Sequence, residues 1–83
     1  MTPLHAHLWM RLKEAMAKTG VDSIGRLAKF IPDEKGFALN HMVFRMLIDE
    51  DPVTACKLVH DEILLPDTIK SYPQKPYSSK KRG

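Results

Sequence analysis

The chain has 83 residues, a formal net charge of +3 and one cysteine. That length sets one domain as the expectation, with a core that seldom supplies more than about 3–5 kcal/mol. A lone thiol, Cys56, excludes an intrachain disulfide scaffold and fits a reducing, intracellular compartment, whether cytoplasm or organelle matrix; no signal-peptide pattern opens the chain, and no apolar run nears the roughly 18–20 residues that cross a bilayer.

The first helix is expected from about Thr2 to Thr19. Thr2 suits the N-cap and Pro3 the first helical position, where its missing N–H goes unneeded. Gly20 can take the left-handed conformation that ends a helix. Leu4, Leu8, Leu12 and Ala15 recur at helical spacing, and Trp9 and Met16 widen the stripe. The second helix is expected from about Ser23 to Ile31, with Asp22 as N-cap. Ile24, Leu27, Ala28 and Ile31 line one side, and Pro32 disfavours helical geometry in the residue before it. Pro32 to Gly36 then reads as a turn.

The third helix is expected from about Phe37 to Ile48. Its apolar residues leave only a narrow polar strip of His41, Arg45 and Asp49, the pattern of a helix buried nearly all round. Either the other helices wrap it or one side meets another chain. The fourth helix is expected from about Pro52 to Leu64, with Asp51 as N-cap and Pro66 beyond its end. Val53, Cys56, Val59 and Ile63 form its apolar side, and Lys57 and Asp61 pair across one turn of the other. The segment after Tyr72 has no aliphatic residue and two prolines, so it cannot offset the entropy of ordering by packing. The expected fold is therefore all-α: a small four-helix domain over residues 1–70, packed around its third helix, and a flexible basic tail over 71–83.

Charge is unevenly placed. Arg11, Lys13, Lys18, Arg26 and Lys29 outnumber Glu14 and Asp22 in the front. The middle is acidic, through Asp33, Glu34, Asp49, Glu50, Asp51, Asp61, Glu62 and Asp67. Residues 70–83 carry Lys70, Lys75, Lys80, Lys81 and Arg82 with no acid. Phosphate contacts are therefore confined to the two ends.

Helix two, the turn and helix three resemble a helix-turn-helix in pattern. Asn40, His41 and Arg45 would be its base-reading side chains, since Asn pairs with adenine and Arg with guanine. The turn is long for that motif, and Asp33 and Glu34 in it would repel phosphate. In the tail, lysines interleave with Tyr72 and Tyr77. Cations there would release counterions from phosphates, and tyrosines would stack on unpaired bases. Pro73 and Pro76 match the minimal polyproline recognition pattern, which recurs by chance.

Cys56 and His60 stand one turn apart and could start a metal site, but two further ligands lack an evident source. A small buried thiol beside a core histidine is the commoner arrangement. Neither an orienting third group for a Cys–His pair nor a phosphate-cradling glycine loop is evident. The expectation is a non-enzymatic binding protein with no metal, cofactor or catalytic residue. Nucleic acid is the leading partner class, contacted by Arg11, Lys18, Arg26 and Lys29 on a basic helical face and by Lys75, Lys80, Lys81 and Arg82 in the tail. The alternative is a small accessory subunit or protein–protein interaction module of a larger assembly, with Phe37, Phe44 and Ile48 as the partner interface. A homo-oligomer stays open.

Overall fold

The structure is a computed structural model, and it describes residues 2–75. Four α-helices and two irregular helical turns make an all-α domain, with no strand among the described residues. Helix α1 spans Pro3–Thr19. The Thr2 hydroxyl accepts the His5 amide at 3.1 Å, and Gly20, at φ 82°, donates its amide to the Met16 carbonyl at 2.8 Å. Both ends are thus closed by the cap chemistry the sequence displays.

Helix α2 is shorter than its apolar pattern suggests. It covers Ile24–Leu27 and tightens into a 3-10 turn over Ala28–Phe30. Ser23, not Asp22, holds the cap position, and its side chain makes no capping hydrogen bond. Ile31 is extended, at φ −119° and ψ 123°, as the residue before a proline prefers.

The loop from Ile31 to Asn40 folds back on itself through an antiparallel bridge between Pro32 and Ala38. Asp33 organises it: its Oδ1 accepts the amides of Lys35 at 2.8 Å and Phe37 at 2.9 Å. The Leu39 amide donates to Ile31 at 2.8 Å. Helix α3 therefore begins later than Phe37 and spans His41–Glu50. Asn40 caps it, its Oδ1 accepting Met42 N–H at 2.7 Å and Val43 N–H at 3.4 Å.

Helix α4 spans Pro52–Val59 and continues into a π turn over His60–Leu64. Asp51 joins the two helices. Its amide closes α3 on Leu47 at 2.8 Å, and its carboxylate accepts the Thr54 hydroxyl at 2.7 Å.

The core gathers Leu8, Leu12, Ala15, Leu27, Ala28, Ile31, Phe44, Ile48, Ala55, Val59 and Ile63. Helix α1 packs along α4 and the π turn, while α3 packs on α4 and α2. Helix α3 is consequently a flank and not the hub. It buries Phe44 and Ile48 and leaves Met42 69% and Met46 48% exposed.

Beyond the π turn the chain bends at Leu65, Asp67 and Thr68, and residues 69–75 then form an extended segment without helix or strand. Tyr72 donates its amide to the Lys29 carbonyl at 2.9 Å, and Ala38 donates to the Pro73 carbonyl at 2.8 Å. The first residues read as a tail are thus held between the 3-10 turn and the bridge loop. No helix among the described residues is long and apolar enough to cross a membrane.

Candidate nucleic-acid interface

A groove of about 1080 Å³ opens where α2, α3 and the extended segment meet. Arg26 and Lys29 stand on one wall, Arg45 on α3, and Lys75 on the extended segment, which the Tyr72 and Pro73 hydrogen bonds hold in place. Ala28, Ala38, Leu39 and Val43 supply its apolar lining, and Ser23, Asn40 and Gln74 its uncharged polar lining. The Arg45 guanidinium lies back over α2: a Cβ on Gly25 would stand 4.0 Å from its Nη1 and 3.8 Å from the His41 Cβ. The first turn of α3, which has no acidic residue, also lines the groove through His41 and Val43. A helix N-terminus favours negative charge, which adds to the field of the cations.

Asp33 is the one carboxylate among the described lining residues. Partial burial would raise its pKa, but the amides of Lys35 and Phe37, the Lys75 ammonium and the Gly36 amide together hold it below the usual carboxylate range. Asp33 is therefore an anion already satisfied by the loop it organises. Four cations around one such carboxylate leave the groove electropositive.

The residues expected to bind nucleic acid divide into three groups. Arg26, Lys29 and Lys75 converge on the groove. Arg11 does not: it pairs with Glu14 at 2.7 Å and lines a separate cleft of about 390 Å³ with Leu4, His7 and Val53. Lys18 is engaged elsewhere, donating to the carbonyls of Leu64 at 3.0 Å and Pro66 at 2.6 Å, where it closes the end of the π turn. A single basic face joining Arg11, Lys18, Arg26 and Lys29 is not formed. Lys80, Lys81 and Arg82, like Tyr77 and Pro76, lie outside the described residues. Arg45, read from the sequence as a base-reading side chain and not as part of the basic face, also lines the groove. It sits within an acidic stretch of sequence, and only the packing of α3 on α2 turns it toward Arg26.

The helix-turn-helix pattern is not realised. The first helix is one turn long, and Ile31 to Asn40 is far longer than the three to four residues the motif uses. The Asn40 carbonyl oxygen accepts two backbone amides, so it is not free for the two-pronged adenine pairing.

The apolar positions assigned to a partner also need correction. Phe44 is fully buried and Ile48 is 6% exposed, both inside the chain's own core, and Phe37 is half-buried in the bridge loop. The open apolar positions of α3 are Met42, Val43 and Met46.

The histidine beside Cys56 is not a core residue. Its side chain is 54% exposed, with Nδ1 3.0 Å from the Asp61 carboxylate. Cys56 is half-buried, and no group of three metal-ligating side chains forms among the described residues. The Asp61 carboxylate is held below its ordinary pKa by the hydrogen bond with His60 and by Lys57, whose Nζ lies 3.3 Å away.

Comparison of the chain with protein-family models, with curated proteins and with solved structures found no match.

Proposed function

We propose that this protein is a non-enzymatic nucleic-acid-binding module whose phosphate site is the groove between α2, α3 and the extended segment. One observation carries the proposal. Arg26 with Lys29, Arg45 and Lys75 come from three separate stretches of an otherwise acidic-centred chain, yet they line one concavity whose described lining holds a single, already hydrogen-bonded carboxylate. Cations gathered this way neutralise phosphates and release counterions, which makes affinity fall steeply with salt. Lys80, Lys81 and Arg82 follow Lys75 in sequence and add charge to the same end of the chain.

The test is binding to short mixed-sequence nucleic acid at about 50 and 200 mM salt, the range over which phosphate contacts are screened. The groove variant Arg26→Gln/Lys29→Gln is compared with Arg11→Gln. Binding that weakens steeply with salt, is reduced in the groove variant and is kept by Arg11→Gln supports the proposal. Equal losses in both variants, or no binding at low salt, overturn it.

A second reading is supported by the outer side of α3, where Met42, Val43 and Met46 are 69%, 39% and 48% exposed. Methionines adapt to irregular contacts, which suits an accessory subunit of a larger assembly. A monomeric mass at micromolar concentration, with no hydrophobic dye binding, would argue against it.

A further inference from the structure

Resting on the nucleic-acid reading above, we infer that the groove is selective for the paired phosphodiester backbone of a duplex over a single strand. Proteins that hold single strands combine cations with aromatic platforms on which successive bases stack. Among the described residues the groove has the cations and lacks the platforms. Its described lining holds one imidazole, His41, and no phenyl, phenol or indole ring. The nearest candidates are used otherwise. Phe30 and Tyr72 are half-buried, and the Lys29 and Lys70 ammoniums lie over their rings, each 5.7 Å from the centroid. What remains between the cations is a lining of aliphatic and uncharged polar side chains, which offers charge to a phosphate and no face to a base.

A site that reads charge alone binds the denser polyanion more tightly. A duplex carries one charge per about 1.7 Å of axis, twice the density of one strand in the same geometry. The size of the preference follows from the four cations of the groove. Four phosphate contacts give log–log salt slopes of about −3.6 on a duplex and about −2.8 on a single strand. Affinities that converge near 1 M salt then differ about tenfold at 50 mM. Because the contacts are to backbone, DNA and RNA duplexes share the chemistry the site recognises.

The experiment measures binding of the full chain to a short mixed-sequence DNA duplex, the matching RNA duplex and one strand of each, from about 50 to 200 mM salt. The expected result is that both duplexes bind about tenfold more tightly than the single strands at the low-salt end. Arg45→Gln, a change at an exposed side chain, is expected to keep the helical circular-dichroism spectrum and to lower the duplex slope by about 0.9. A single strand bound as tightly as the duplex overturns the duplex inference and leaves the nucleic-acid reading standing. An unchanged slope in Arg45→Gln overturns the groove as the seat of the preference. A preference above about tenfold for one duplex over the other overturns the charge-only account, because it needs a 2′-hydroxyl or groove-shape contact. Absence of binding to every probe overturns both readings.

Discussion

Lys18 separates the charge pattern of the sequence from the chemistry of the fold, and Lys18→Met tests which of them governs it. The substitution removes the ammonium and keeps a long apolar stem, so packing along α1 is preserved. It deletes two hydrogen bonds, at 3.0 Å to Leu64 and 2.6 Å to Pro66, and leaves two carbonyls at the end of the π turn without that donor. Hydrogen bonds to a charged group contribute about 1.5–3 kcal/mol when shielded. Lys18 is exposed, and water can replace it at both carbonyls, which brings the pair to about 1–2 kcal/mol together. For a domain of this size each kcal/mol moves the melting temperature by about 4–8 °C, so a fall of about 4–16 °C is expected. Thermal unfolding followed by circular dichroism measures it, alongside the salt dependence of duplex binding. An unchanged melting temperature would refute the clamp. A loss of about 0.9 from the salt slope would put Lys18 on phosphate after all.

Three further outcomes follow from the packing and the caps. Phe44→Ala empties the largest fully buried side chain and should cost about 3–5 kcal/mol, comparable to the whole stability of so small a core, so loss of the cooperative thermal transition is expected. Gly20→Ala forces a Cβ onto a residue at φ 82° and should cost about 1–2 kcal/mol, read as a lower melting temperature with the helical spectrum unchanged. Asp33 has a folded pKa below its unfolded value; its contribution to stability is full above the unfolded pKa of about 3.9 and is lost as pH falls through the folded value. Asp33→Asn should therefore flatten the acid limb of a stability–pH profile, and an unaltered limb would contradict the role given to the loop amides.

Local signals were the legible ones. Thr2, Pro3 and Gly20 mark both ends of α1 because caps act over one turn of chain. Asp51 and Pro52 mark the α3–α4 junction for the same reason. The start of α3 was not legible, because Phe37 and Leu39 continue its apolar periodicity. Their backbone is instead engaged by Asp33 and Ile31, and Asn40 acts as a cap where the sequence suggested a base reader. The central place expected for α3 failed because an apolar helix in a short chain can leave methionines open on a flank. In the groove, Arg26 and Lys29 were legible as cations close together on one helical segment. Lys75 joins them through backbone hydrogen bonds between residues distant in sequence, and Arg45 through the packing of α3 on α2. Neither relation leaves a periodic or compositional trace.

The most direct measurement is a two-dimensional amide NMR titration of the full chain with a short mixed-sequence DNA duplex at about 50 mM salt. Shifts concentrated at Gly25, Arg26, Lys29, Ala38, His41 and Arg45, with the middle of α1 unmoved, are the predicted result. Shifts centred on α1 and the Arg11 cleft, or none at saturating duplex, would contradict the groove as the binding site.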